Sequence, residues 1–411
     1  MKLQKLMLKN IKLIFYSLPV LIAFILPFGN ALTSPLIALW FLTSLFFING
    51  ISKKTNLKNE WFLIITGFFI LTVISNFIFY NANDPLNAIE IKLSFLLFPF
   101  LFFLFEINYL VARRIIASFV SGCLFACIVC IGRAFKHLFQ GDSSYFYYSN
   151  FSYFMHSAYF AMYLNLAVVF VFLFYFKWFK DKPSYKLFSF VLIGLFSLCI
   201  ILCSSKIGII SLFLLIPLTI ALEYKSTIKL KHYIVAFASL LIITFSIYTF
   251  VPQVFDRLRS VTVVTKANID KTATESSSVR LLIWKECTEL VKSNILLGVG
   301  VSHANETLYK IYEQHGITGA LEKKLNAHNQ FFQTFIGIGL FGFLNLLLMT
   351  IGVIIYAIRS KNNLLLFFGL LTTSNFLVES MLQTSAGNVF FGFFLCFLLV
   401  FNKDKLTHAS T

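Results

Sequence analysis

The sequence predicts an all-α polytopic membrane protein: about twelve transmembrane helices and one large external loop containing a surface helix. Three observations carry that expectation. Of 411 residues, 58% are hydrophobic and only 12% charged, whereas soluble domains run at about 45–50% apolar and about 25% charged. So few polar side chains cannot coat so much Leu, Ile and Phe (52 Phe alone), so lipid must coat it. The apolar residues also fall in runs near the ~20 residues that cross a bilayer, and the cations are shared unevenly between the two sides those runs define.

Taken in order, spans are expected near 13–29, 31–49, 61–80, 88–105, 114–135, 157–176, 187–203, 206–222, 233–250, 329–356, 364–379 and 388–401. The start, with Lys2, Lys5, Lys9 and Lys12 ahead of an apolar run, is built like a secretory leader, but eleven further spans favour an uncleaved helix. With a cytoplasmic N-terminus, the inside segments hold twenty of the 34 Lys and Arg, in clusters such as Lys53, Lys54 and Lys58. The short outside turns and their flanking helix ends hold four: Lys92, Arg133, Lys136 and Lys206. That asymmetry puts both termini in the cytoplasm; the other ten cations lie in the long loop, where the charge rule has little force. Three regions follow: an N-terminal transmembrane bundle of about nine helices over 1–250, an external loop over 251–327, and C-terminal transmembrane helices over 328–411.

The net charge of +17 would suggest nucleic acid in a soluble protein. Here it is the charge of cytoplasmic loops, and no nucleic-acid partner is expected. Of seven Cys, Cys123, Cys127, Cys130, Cys199, Cys203 and Cys396 lie in apolar runs and Cys287 stands alone. The helical spacing of Cys123, Cys127 and Cys130 mimics a metal site, but small packing residues in a bilayer helix account for it better.

The loop opens on the polar stretch VTVVTKANIDKTATESSS and continues into SVRLLIWKECTELVKSN. There Leu281, Trp284, Thr288 and Val291 fall near one face at helical spacing, with Ser or Thr available as a cap. An amphipathic helix lying at the membrane surface is expected. The Gly298-x-Gly300 pair that follows lacks the strand, spacing and Lys of a phosphate loop and reads as a tight turn.

Ionisable groups at or within a membrane are costly and suggest function. Five places qualify, all at or facing the outer side. Lys206, in LCSSKIGIIS, is either a snorkelling cation at a helix end or an anion contact supported by Ser204 and Ser205. Arg280, in the first turn of the loop helix, is either a surface Arg or, with the helix N-terminus, a phosphate clamp. His328 and Asn329 stand where the loop returns to the membrane, and His is the side chain best suited to exchange a proton near neutral pH. His156 follows the aromatic run YFYYSNFSYF, which serves as an interface belt or as a platform for sugar rings. Glu379 ends a span, as the partner of one of these cations or as a catalytic group. Glu90, Lys92, Arg133, His137 and Asp142 read as ordinary edge charges.

Absent patterns narrow the chemistry further. The six Asp never come close in sequence, no DxD or HExxH occurs, and the CxxC at Cys127 and Cys130 lies inside an apolar run, so no metal or other cofactor is expected. The chain lacks a phosphate loop and a dinucleotide fingerprint, which removes ATP coupling on this chain.

Four segments carry a family resemblance: SSKIG, SSVRLLIWKECTELVKSNILLGVG, AHNQFFQTFIGIGLFG and LVESMLQTSAGNVFF, with SYFMHSAYFAMY in support. With them the chain resembles the O-antigen ligase and O-antigen polymerase superfamily, bacterial membrane glycosyltransferases of the GT-C type, most specifically over Ser278 to Gly342. The resemblance implies a bacterial inner-membrane location with the loop in the periplasm. It also implies metal-independent transfer of a glycan from an undecaprenyl-diphosphate donor to lipid A–core or to another lipid-linked glycan. His328 matches the family's catalytic His and Arg280 its loop Arg; Lys206 falls where the ligases usually carry Arg, which keeps the charge but loses the planar fork. Donor pyrophosphate contacts are therefore expected from Lys206 and Arg280, and substrate contacts from Asn329, His156 and Glu379. Loop position and pattern lean to the ligase; a repeat-unit polymerase uses the same machinery. A flippase or transporter is the reading from another class, though the chain lacks the internal symmetry common there.

Overall fold

A computed structural model describes residues 2–29, 32–47, 59–79, 85–175, 183–223, 271–272, 274 and 277–401. Every regular element among them is a helix. The first seven are α1 (Lys2–Ile25), α2 (Thr33–Leu45), α3 (Glu60–Ile78), α4 (Pro85–Lys92), α5 (Ser94–Leu104), α6 (Tyr109–Phe139) and α7 (Tyr148–Phe151). Next come α8 (Ser157–Phe170), α9 (Pro183–Leu202) and α10 (Lys206–Glu223). Three smaller-core helices follow, α11 (Ser277–Ser293), α12 (Ala304–His315) and α13 (Thr318–Glu322), before α14 (Gln330–Leu347), α15 (Val353–Arg359), α16 (Asn363–Phe376) and α17 (Ser385–Val400).

Among the described residues five stretches are long and apolar enough to cross a bilayer: Lys9–Phe28, Glu60–Ile78, Leu86–Leu104, Tyr109–Phe139 and Gln330–Arg359. Six shorter apolar helices accompany them. These coincide with the expected spans except 233–250, which lies outside the described residues, as does most of the loop stretch before Ser277.

Burial sorts the helices into inner and outer. All fourteen residues of α8 are buried, and most of α17 is. Both have apolar side chains around their full circumference, as a helix enclosed by other helices requires. Phe119 of α6 meets Phe394 of α17 at 4.7 Å, and Tyr163 of α8 stacks on Phe390 at 4.2 Å. Outer helices instead leave large apolar side chains uncovered, among them Leu63, Ile70 and Phe77 on α3 and Phe188, Phe190 and Val191 on α9. Such a surface suits lipid rather than water. The cysteines of α6 and α9 are buried and unpaired, with Cys127 beside Cys199, in the packing role their spacing suggested.

Helix α14 is broken within its own span. Gly339 sits at φ 74°, ψ −160°, a left-handed value that suits glycine. The backbone groups released there are taken by the turn after α11. The Leu340 N–H donates to the Ile295 carbonyl at 2.8 Å, the Val299 N–H donates to the Ile336 carbonyl at 2.7 Å, and the Ser75 hydroxyl donates to the Gly337 carbonyl at 2.9 Å. An apolar medium demands such replacement, since each orphaned group costs several kcal/mol, about as much as any single interaction in a fold. The expected glycine turn is present, with Gly298 at φ +68°, and a Cβ on Gly298 would stand 2.3 Å from the Ile336 oxygen.

The expected loop helix forms as α11, but it rests on a different face. Val279, Ile283, Cys287 and Leu290 are buried against Leu308 and Tyr312 of α12 and Ala320 of α13, while Leu281 is 45% exposed. Two further helices that sequence reading did not separate from the loop supply this second core, so α11 buries its stripe in protein. Lys92, read as an edge charge, is only 3% exposed.

Candidate active site

The site is built where three connections converge: the turn entering α14, the turn between α16 and α17, and the first turns of α11. Asn329 caps α14, its Oδ1 accepting the N–H groups of Phe331 (2.9 Å) and Phe332 (3.1 Å). Its Nδ2 donates to the Leu377 carbonyl at 3.0 Å, and its own N–H donates to the Ser380 hydroxyl at 3.2 Å. A single Asn thus ends one turn and ties it to the other. Gln330 adds a second tie, accepting the Leu382 N–H at 2.7 Å.

His328 occupies the joint itself, at φ +44°. A non-glycine residue in that region costs on the order of 1–3 kcal/mol and persists only where the surroundings impose it. Those surroundings are present on both sides. The His328 N–H donates to Asn326 Oδ1 at 2.9 Å, the Ala327 N–H donates to Gln333 Oε1 at 3.0 Å, and Trp284 of α11 donates from Nε1 to the Ala327 carbonyl at 2.9 Å.

The side chains then meet on Glu379. Arg280 donates from Nη2 to Glu379 Oε1 at 2.8 Å, and His328 Nδ1 lies 3.2 Å from Glu379 Oε2. Glu379 is 12% exposed, His328 22% and Arg280 31%, so the carboxylate is innermost and the imidazole and guanidinium face outward from it. Burial works to raise the Glu379 carboxyl, but the hydrogen bond from His328 and the charges of His328, Arg280 and His156 outweigh it and hold the group below the usual carboxylate range.

Of the remaining expected residues, His156 is exposed and caps α8, its Nδ1 accepting the Ala158 N–H at 3.4 Å, with its ring edge-on to Tyr159. It lies close enough for its charge to act on Glu379. Lys206 is the first residue of α10, and its turn packs on α8: Asn165 Nδ2 donates to the Gly208 carbonyl at 3.0 Å. Ser204 and Ser205, expected to offer hydroxyls outward, are buried; Ser204 Oγ donates to the Leu202 carbonyl and Ser205 Oγ accepts the Gly208 N–H. Arg280, Glu379 and His328 therefore form one hydrogen-bonded unit, with Asn329 tying the two turns that carry it and His156 beside it, while the described contacts of Lys206's turn run to α8. Among the described residues no group of three His, Cys, Asp or Glu side chains is arranged to hold a metal ion. Sequence reasoning overlooked Gln330, Gln333 and Ser380. The signal for the glutamines was two amides a helical turn apart in an otherwise apolar run; Ser380 carries no such signal.

Chemically, the arrangement presents an imidazole whose Nδ1 faces a carboxylate. The proton belongs on Nδ1, which leaves Nε2 as an acceptor. Arg280 uses one donor on Glu379, and a guanidinium has five. No curated protein matches the chain. A family model described as O-antigen ligase matches residues 191–347, a stretch that contains Lys206, Arg280, His328 and Asn329 but neither His156 nor Glu379. An O-antigen ligase match over this stretch, set in an apolar helical bundle, supports a membrane protein of the O-antigen ligase/polymerase type, glycosyltransferase-like in the broad sense.

Proposed function

We propose that the protein transfers a glycan from an undecaprenyl-diphosphate donor to lipid A–core at the outer face of the bacterial inner membrane, with His328 as general base. The acceptor hydroxyl attacks the anomeric carbon, a new glycosidic C–O bond forms, and the bond from that carbon to the diphosphate oxygen breaks on the opposite face, inverting the centre. The hydroxyl proton passes to His328 Nε2, and undecaprenyl diphosphate leaves with the bonding pair. The observation that carries this reading is the 3.2 Å contact between His328 Nδ1 and Glu379, which sets the tautomer a base needs. Charge growing on the leaving diphosphate calls for fixed cations, and Arg280 and Lys206 are assigned that role.

The test uses purified protein, a lipid-diphosphate glycan and lipid A–core, with a chelator present. Glycosylated lipid A–core is expected, and Arg280→Ala or Lys206→Ala should weaken use of the donor more than use of the acceptor. Near-normal transfer by a folded His328→Ala protein would sink the base assignment. Extension of one lipid-linked glycan by another, with lipid A–core untouched, would make the protein a polymerase instead.

A further inference from the structure

Lys92 ends α4, at the break between α4 and α5, and is 3% exposed. Lysine at a helix C-terminus is ordinary when its ammonium reaches water. Here little of the side chain does, and among the described residues no carboxylate, carbonyl or hydroxyl is hydrogen-bonded or ion-paired to it. A buried charge without a partner is among the costliest arrangements in a protein and, within a membrane span, a mark of function. The side chain lines a narrow cavity together with Gln333, Thr334 and Gly337 of α14 and Gln383 from the turn before α17. That cavity adjoins the His328 site through two residues already described: Gln333 holds the Ala327 N–H, and Gln383 lies four residues after Glu379.

We propose that Lys92 contacts the phosphate of a prenyl-diphosphate donor, one to two helical turns deeper along α14 than His328. The order of groups in such a donor argues for this depth. Its glycan is outermost, the diphosphate next and the isoprenoid chain innermost, so a cation below the base meets the phosphate on the lipid side, while Arg280 and Lys206 serve the phosphate on the sugar side. From Asn329 to Gly337 is eight residues of helix, about 12 Å, and the cavity lies along that face. The cavity measures about 10 Å3, room for one water-sized group. A single phosphate oxygen is of that size; a sugar with its linker is not. Gln333, Gln383 and Thr334 add neutral hydrogen-bonding groups around the cation.

This inference rests on the donor class proposed above, and the experiment separates the two. Full-length protein is titrated with farnesyl diphosphate, farnesyl monophosphate and farnesol while its thermal midpoint is followed. The wild type should be stabilised most by the diphosphate. Lys92→Met, which keeps the length and removes the charge, should unfold at an equal or higher temperature without ligand yet bind farnesyl diphosphate about 10–100-fold more weakly, the scale of one charged hydrogen bond. Lys92→Arg should retain most of the response. Equal binding by the wild type and a folded Lys92→Met protein would overturn the Lys92 assignment and leave the donor class standing. No response by the wild type to any prenyl phosphate would overturn both. If Lys92→Met does not fold, Lys92→Gln decides: loss of the diphosphate response supports the contact, and an unchanged response refutes it.

Discussion

Among the described residues two His–Glu pairs are joined through the same ring nitrogen, and they differ in everything around that bond. His315 Nδ1 lies 2.8 Å from Glu286 Oε2, on the small helical unit formed by α11 to α13. His315 ends α12, its side chain is 51% exposed, Gly316 follows in a left-handed cap, and its carbonyl accepts from Lys271 at 2.8 Å. An imidazole at a helix C-terminus, hydrogen-bonded to a carboxylate on the neighbouring helix, is a fastening. His328 Nδ1 lies farther from its carboxylate, at 3.2 Å, but is less than half as exposed and has a left-handed backbone. Its Glu379 also carries Arg280. On the proposed assignment the shorter bond is the structural one, so bond length does not distinguish the roles. What distinguishes them is restraint of the backbone, enclosure and a second charge on the carboxylate.

The largest effect that tests this contrast is on turnover. His328→Ala should lower the transfer rate by about 10²–10⁴, and His315→Ala should leave it within about twofold, both measured on purified protein whose thermal midpoint shows that it is folded. Comparable losses from the two would erase the distinction. Next in size is the carboxylate. Glu379→Gln no longer fixes the Nδ1 proton and should cost about 10–100-fold in rate, as loss of an orienting partner does, whereas Glu286→Gln should spare turnover. The same variant sharpens the contrast in acid. A carboxylate held below its ordinary value stabilises the fold above the unfolded pKa of about 4.3, and that contribution is lost as pH falls through the depressed folded value. The wild type should lose stability over that range, and Glu379→Gln should lack that component of the pH dependence. The smallest effect is expected from Asn329→Ala, which removes a cap worth about 1 kcal/mol and should lower the thermal midpoint by a few degrees, with a fall in rate larger than that stability loss because His328 is carried by the same turn.

The membrane elements were readable because length and hydropathy state them directly: Tyr109–Phe139 and Gln330–Arg359 are apolar runs that nothing else explains. Arg280, His328 and Glu379 could be named because charge is rare in such a sequence, so each exception stands out. Their convergence could not be read, since Glu379 is 51 residues from His328 and 99 from Arg280, and only packing sets those distances. Lys92 was misjudged for a related reason. Its position near the end of an apolar run fits a snorkelling side chain, and its burial depends on α14 and the turn before α17 lying over it. The face of α11 was misread because Leu281 and Trp284 are the larger apolar residues, while the buried stripe is completed by Cys287, which resembles a stray. Polar residues whose work is internal, such as Gln333 with its contacts to Ala327 and Asn305, leave no trace in hydropathy.

The broken helix has a consequence for building chimaeras between relatives. The strand of chain from Ile295 to Val299 and the interrupted turn at Gly339 complete each other's hydrogen bonding, and a Cβ at Gly339 would stand 2.2 Å from the Leu296 oxygen. An exchange of the segment ahead of α14 that stops short of Gly339 would join two halves never matched to each other and strand bare peptide groups in hydrocarbon. Any recombinant meant to transplant acceptor preference therefore needs its downstream junction beyond Gly342, so that the turn and the interruption travel as one module.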